Sequence, residues 1–231
     1  MITHFSELRL QTVSIQGVEQ VYGERLGIPI LLKTDKQISF RLAPHVTLSF
    51  EEAYEPISPA HFAFQVPFSK FYEAAKRIQE SGLLIVKWED GHDIDEEDNR
   101  LNLYFRDGDG NLLEIIAHKY IDEGVLVPHT PLNILYMREI GCPAHIVASW
   151  KGRTWIPIAM KALPPKIHVS FGTPSLHFIQ KVQNHLRQND VPCQFSKNEL
   201  SFVQEGYSFS IQHTPHFKAD IPNKLNLPLS I

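Results

Sequence analysis

The hydrophobic pattern of the N-terminal segment changes its period from strand to helix and back to strand. "FSELRLQTV" alternates apolar and polar positions, which is typical of a half-buried strand. A helical period follows, in which the apolar positions are Val18, Val21, Tyr22 and Leu26. Gly27 is well placed to end that helix. "IPILLKT", "QISFRLA" and "HVTLSFEE" are short apolar runs, so the pattern predicts a β-α-β-β-β unit over residues 1–51.

The segment from about residue 60 to 118 repeats the same order of elements. "HFAFQV" predicts a strand, and Ser69 can cap a helix that Gly82 ends. The apolar face of that helix is Phe71, Ala74, Ala75 and Ile78. "LLIVKW", "LNLYFRD" and "NLLEIIAH" predict three strands, and the last two are joined by "GDG", which favours a hairpin turn. A charged loop, "EDGHDIDEEDNR", separates the first two of these strands.

The C-terminal half carries the repeat less completely. "KIHVSFGTP" aligns without gaps on "PAHFAFQVP", so His168 matches His61, and residues 166–213 predict a further strand, helix and three strands. Residues 132–165 show no helical period, and we interpret them as a degenerate copy that has lost its helix. Residues 120–131 are predicted to be a linker, and the tail from Pro215 onward is predicted to be a surface arm.

Charge and cysteine content narrow the class of protein. The formal net charge is −4, which gives no bulk attraction to nucleic acid or to an anionic membrane. The two cysteines, Cys142 and Cys193, lack CxxC spacing and predict neither a disulfide scaffold nor a thiolate zinc site. The N-terminus lacks the pattern of a signal peptide, and no apolar run reaches membrane-spanning length. These features predict a cytoplasmic protein.

Four such units resemble the vicinal oxygen chelate superfamily, which includes glyoxalase I, extradiol dioxygenases and bleomycin-resistance proteins. The resemblance lies in "VYGERLG", in "HFAFQV" at 61–66 and in "LYFRDGDGNLLE" at 103–114. It implies an α+β fold of paired βαβββ modules that form cupped sheets. The implied domains are a glyoxalase-like domain at 1–119, with modules at 1–51 and 60–118, and a reduced second domain at 132–231. "REIG" at 138–141 and "GRTWIP" at 152–157 resemble two-domain bacterial members described only as glyoxalase-like.

The resemblance also implies a ligand set for a divalent metal. His61 lies at the histidine position of the second module, and Glu114 lies at the glutamate of its last strand. Counted back from Tyr22 and Leu26, the position of the first-module histidine falls on Glu7, and His4 comes three residues earlier. The predicted metal ligands are therefore Glu7, His61 and Glu114, and the predicted metal is Mn, Zn or Fe. Two carboxylates with one imidazole make a harder site than the two-histidine set of Fe(II) dioxygenases, which argues mildly against ring cleavage.

The second domain is not expected to bind a metal. His168 repeats His61, but Ser210 takes the place of Glu114. One imidazole without a carboxylate is a poor site, so we expect His168 to be structural or to line a pocket. Ordinary polar strand ends remain the competing interpretation of Glu7, His61 and Glu114.

Two hypotheses about function follow. In the first, the protein is a metalloenzyme that acts on a small oxygen-rich substrate, and Glu7 or Glu114 is the catalytic base. Ring cleavage, isomerisation and epoxide opening all stay open. In the second, it is a metal-free binding or sequestering protein of the bleomycin-resistance type. In both cases the partner is a small molecule, and a homodimer is compatible with the module pairing.

Overall fold

A computed structural model describes residues 2–54, 57, 59–141, 167–204, 207–218 and 220–225. The predictions for residues 142–166, "GRTWIP" among them, lie outside these residues. The N-terminal unit comprises β1 His4–Thr12, α1 Ile15–Val18 with a π-helical continuation Glu19–Arg25, β2 Ile30–Lys33, β3 Gln37–Ala43 and β4 Val46–Glu52. This is the predicted β-α-β-β-β order, and Gly27, at φ +70°, follows the helix.

The second unit also follows the predicted order, with one additional strand. Its elements are β5 His61–Gln65, a 3₁₀ turn Phe68–Lys70, α2 Phe71–Glu80, β6 Leu84–Ile85, β7 Ile94–Glu97, β8 Arg100–Arg106 and β9 Leu112–His118. β7 lies inside the predicted charged loop, because Ile94 pairs with Leu103 in a hairpin with β8. Ser69 does not cap α2, since its hydroxyl donates to Glu123 instead.

The C-terminal half contributes one strand before residue 142 and a complete unit after residue 166. These elements are β10 Tyr136–Ile140, β11 His168–Thr173, α3 Leu176–Gln188, β12 Cys193–Ser196, β13 Glu199–Gln204, β14 Tyr207–His213 and α4 Ile221–Lys224. His61 and His168 begin topologically equivalent strands, because β5 and β11 each pair in parallel with the last strand of their own unit. Across the described residues, every helix is too short or too polar to cross a membrane.

The strands form two sheets, and each sheet joins units that are not predicted neighbours. The eight-stranded sheet has the order β12-β13-β14-β11-β1-β4-β3-β2, and the other has the order β10-β5-β9-β8-β6 with β7 on β8. β1 pairs antiparallel with β11, and β10 pairs antiparallel with β5. The first unit therefore shares a sheet with the last unit, whereas the predicted first domain joined the first unit to the second. The division of the chain at residues 120–131 stays a prediction.

One hydrophobic core joins the two sheets. The predicted helix faces are buried, with Tyr22 and Leu26 in the first unit and Phe71 and Ile78 in the second each 0% exposed. The described part of the C-terminal tail, up to residue 225, is not the predicted surface arm, because Phe217 and Leu225 are also buried. Phe217 stacks on the ring of His4 at 4.0 Å between ring centroids. Burial of an aromatic side chain of this size stabilises the packing of the tail, even though the residues around Phe217 in the sequence are polar.

A buried hydrogen bond connects the first unit to the second. The Tyr22 hydroxyl donates to Oδ2 of Asp107 at 2.7 Å, and the same carboxylate accepts from the backbone and side chain of Asn111. Burial raises the pKa of Asp107, and these hydrogen bonds oppose that shift. The connection holds the β8–β9 hairpin against the helix of the first unit.

Replacing Tyr22 with phenylalanine should lower the free energy of unfolding by about 2 kcal/mol, because a buried carboxylate loses a charge-assisted donor. Tyr54→Phe is the matched control, since the Tyr54 hydroxyl also donates to a carboxylate, Glu52, at 2.7 Å but in an exposed position. That variant should unfold like the parent. Urea denaturation measures both, and equal stability of the two variants would contradict the structural role of the Tyr22 bond.

Candidate functional site

Two carboxylates flank a small residue on one face of the six-stranded sheet. Ala63 of β5 is in register with Glu139 of β10 on one side and with Glu114 of β9 on the other. Adjacent strands lie about 4.8 Å apart, so the two glutamates are roughly 10 Å apart at their Cα atoms. The methyl group of Ala63 leaves the space between them open. His61 points to the same face as Ala63, because side chains alternate along a strand.

His61 and Glu114 form the centre of this site. Nε2 of His61 lies 3.4 Å from Oε2 of Glu114, and their side chains are only 13% and 4% exposed. Nε2 is buried and has no hydrogen-bond partner among the described residues. A buried imidazole nitrogen without a hydrogen bond is uncommon in folded proteins, so His61 is a candidate ligand-binding group. The backbone N–H of Gly141 donates to the carbonyl of His61 at 2.7 Å and fixes the strand edge beside the ring.

Tyr104 closes one side of the site. It is in register with Glu114 on β8, and its ring lies 6.2 Å from the ring of His61. Burial and the negative charge of Glu114 together raise the pKa of Tyr104 to about 12. The phenol therefore keeps its proton at neutral pH and shares a side-chain hydrogen bond with Glu114. Trp88, which is partly exposed, packs edge-on against Tyr104 and continues the aromatic wall outward.

Glu139 is held less tightly than Glu114. Its nearest ionic partner among the described residues is Nε of Arg138, which lies 3.6 Å from Oε1. Burial and the proximity of Glu114 raise the pKa of Glu139, whereas Arg138 and His61 lower it. Two carboxylates that disfavour each other's charge next to an imidazole form a site that a cation would stabilise.

Glu7 lies apart from His61 and Glu114. It sits on β1 in the eight-stranded sheet, where Arg9 donates to both of its carboxylate oxygens at 3.1–3.2 Å. The structure thus brings together two of the three predicted ligands. Glu139 occupies the corresponding place, because it opposes Ala63 as Glu7 opposes Ser170. The sequence interpretation missed Glu139; a signal for it is that "REIG", like "SELR", places a glutamate in a first strand.

The equivalent face of the eight-stranded sheet is occupied by hydroxyl groups. His168 contacts Ser208 through Nδ1 at 2.8 Å and Ser210 through Nε2 at 3.2 Å. Ser210 donates in turn to Ser170 at 2.7 Å. Both ring nitrogens of His168 therefore have partners, and no carboxylate stands at the place of Glu114. This agrees with the prediction of a structural or pocket-lining His168.

The donor set at His61 fits a divalent cation in its chemistry. One imidazole and two carboxylates are ligands of Mn, Zn and Fe, and Nε2 of His61 makes no hydrogen bond among the described residues. In the part of the chain that the structure describes, however, no three His, Cys, Asp or Glu side chains converge as a formed metal site. Binding would require Glu139 to turn from Arg138 toward His61 and Glu114.

A concave surface lies elsewhere on the molecule. A groove of about 320 Å³ runs between the first helix and the second unit, and its lining includes Gln20, Arg25, Leu84 and Arg106. Its lining contains none of the candidate donors His61, Glu114 and Glu139. The candidate site is therefore defined by its candidate metal-binding side chains and not by the volume of a groove.

The two sheets are built from strands of βαβββ units, and His61 and Glu114 lie on one face of the six-stranded sheet. The structure is similar to a "putative dioxygenase" from Bacillus subtilis subsp. subtilis str. 168, with a TM-score of 0.63, 13% sequence identity, and coverage of 91% of this chain and 84% of that one. This likeness establishes the fold.

Two further similarities cover about half of this chain. A glyoxalase/bleomycin resistance protein/dioxygenase from Alicyclobacillus acidocaldarius matches 49% of this chain and 89% of its own at 15% identity and a TM-score of 0.41. An oxidase, ChaP-H1, matches 51% and 98% at 24% identity and a TM-score of 0.43. No protein-family model and no curated protein sequence matches the chain.

Proposed function

We infer that the protein is a metal-dependent enzyme of the glyoxalase/dioxygenase type, which acts on a small oxygen-rich molecule at the concave face of the six-stranded sheet. The observation that carries the proposal is the buried, unpartnered Nε2 of His61 beside Glu114. The proposed ligands are His61, Glu114 and Glu139, with Glu139 in the role that the sequence assigned to Glu7. The proposed metal stays Mn, Zn or Fe.

The side chains around the site suggest how it would work. A bound divalent cation supplies Lewis acidity that polarises a substrate oxygen. Tyr104 keeps its proton and donates a hydrogen bond to a second oxygen. Glu139, whose pKa is raised and whose contact with Arg138 is long, is the carboxylate best placed to take up a proton. Trp88 and Tyr104 shield this face from water.

One observation favours the alternative, a metal-free ligand-binding protein. The described residues contain no converged set of three donors. In this alternative, His61 Nε2 and Tyr104 would contact a polar ligand directly. The two functions differ in the metal content of the purified protein.

Metal content in matched glutamate variants tests the proposal. We expect Glu139→Gln to lower the affinity for Mn or Zn by at least about tenfold, because an amide replaces an anionic ligand. Glu7→Gln should leave that affinity at the parent's value, since Glu7 pairs with Arg9 on the other sheet. Elemental analysis after growth in metal-replete medium and desalting measures both. A loss of metal in Glu7→Gln alone would restore the sequence-derived ligand set and contradict this one.

A further inference from the structure

Arg138 is a buried cation at the edge of the candidate site. Met137 pairs with Phe64 and Glu139 pairs with Ala63, so Arg138 is the extra residue of a β-bulge in β10. A bulge redirects a side chain relative to the regular alternation of the strand. The side chain of Arg138 is only 9% exposed. This backbone irregularity places a guanidinium group beside Glu139, next to the proposed ligands.

Arg138 makes a short hydrogen bond to Tyr120, whereas its contact with a carboxylate is long. Nη2 donates to the Tyr120 hydroxyl at 2.8 Å, and the guanidinium lies 6.0 Å from the centroid of that ring. Among the described residues, its carboxylate partner is Glu139, at a separation of 3.6 Å that exceeds an ordinary hydrogen bond. A buried charge is costly unless it is paired, so this guanidinium favours a closer anion.

Arg138 and a second arginine, Arg100, both act on His118. Burial, Arg138 and Arg100 together lower the pKa of His118 to about 3, so His118 is neutral at pH 7. Arg100 is itself paired with Glu97 at 2.6 Å and with Asp95 at 3.5 Å. If Glu139 turned toward a cation at His61, Arg138 would lose its carboxylate partner and would keep the hydroxyl groups of Tyr120 and Tyr136.

Resting on the proposed function, we propose that Arg138 binds a carboxylate group of the substrate, so that the substrate class is a small carboxylated molecule. A guanidinium fork matches the planar geometry of a carboxylate and binds it through two parallel hydrogen bonds. The ring of Tyr120 lies against the same guanidinium and supplies aromatic contact for the body of the molecule. Arg138 is thus a specificity-determining residue. When no ligand is bound, the carboxylate of Glu139 takes the place of the substrate carboxylate beside the guanidinium.

Binding of benzoate, with benzamide as its uncharged counterpart, tests this assignment. Titration calorimetry is carried out on the full-length chain, first after treatment with a chelator and then in the presence of Mn. We expect the parent to bind benzoate at least about tenfold more tightly than benzamide, and Arg138→Met to abolish that difference. Arg9→Met is the matched control, because Arg9 also neighbours a glutamate but on the other sheet. It should bind benzoate as the parent does.

Glu139→Gln supplies a second measurement that does not depend on the stability of Arg138→Met. Removing the competing carboxylate should tighten the binding of benzoate by about tenfold in the chelator-treated protein, and the affinity for benzamide should not change. Absence of benzoate binding in the parent, or equal benzoate affinity in parent, Arg138→Met and Glu139→Gln, would overturn the assignment. Because these titrations are read without metal, they stay informative even if the protein binds no metal and the proposed function fails.

Discussion

His61→Ala is expected to lose tightly bound divalent metal, with an affinity at least about 100-fold below that of the parent. The variant removes the imidazole nitrogen that lies 3.4 Å from Glu114 and has no hydrogen-bond partner among the described residues. The two remaining carboxylates cannot replace a neutral nitrogen ligand without bringing two like charges together. Elemental analysis of protein purified under metal-replete conditions gives the stoichiometry.

His168→Ala is the matched control for this experiment. His168 begins the equivalent strand, but both of its ring nitrogens contact serine hydroxyls, those of Ser208 and Ser210. We therefore expect its metal content to equal that of the parent. If both variants retain the parent's metal, or if the parent holds none, the ligand-binding alternative becomes the better account of the fold. Thermal denaturation of both variants separates loss of a ligand from loss of structure.

The elements of each unit could be predicted from local periodicity. The helix with Tyr22 and Leu26 is buried on the predicted face, and Gly27 adopts the positive φ expected after a helix end. The same holds for Phe71 and Ile78 of α2. These features depend on residues that are close together in the chain, so the spacing of the hydrophobic residues is enough to predict them.

The pairing of the units could not be predicted from the same signals. Whether β1 meets β11 or β5 depends on which strand edges are complementary, and those edges are far apart in the sequence. That choice decides the site, because it separates Glu7 from His61 and brings Glu139 to the side of Ala63. The bulge at Arg138 adds a further shift that alternation alone does not show. Sequence reasoning therefore placed His61 and Glu114 together, because they share one unit, and did not place Glu139 beside them.

Gly172→Ala should be among the most destabilising single changes in the molecule, with a loss of about 3 kcal/mol in the free energy of unfolding. Gly172 of β11 lies opposite His4 of β1, and a methyl group at Gly172 would overlap the His4 ring. The ring cannot move away easily, because it stacks on Phe217 at 4.0 Å and its Nδ1 contacts Thr3 at 2.9 Å. The change thus strains the junction between the first and last units.

A double variant separates this overlap from other effects of the substitution. His4→Ala removes the ring, so His4→Ala/Gly172→Ala should be more stable than Gly172→Ala alone, with a coupling of about 2 kcal/mol. Gly108→Ala is the control, because a methyl group there would meet no atom within 4 Å, and its stability should lie within about 0.5 kcal/mol of the parent's. Urea denaturation of the parent, the two single variants and the double variant gives the double-mutant cycle. Additive effects of the two substitutions would mean that the contact between His4 and Gly172 does not hold β1 and β11 in their observed register.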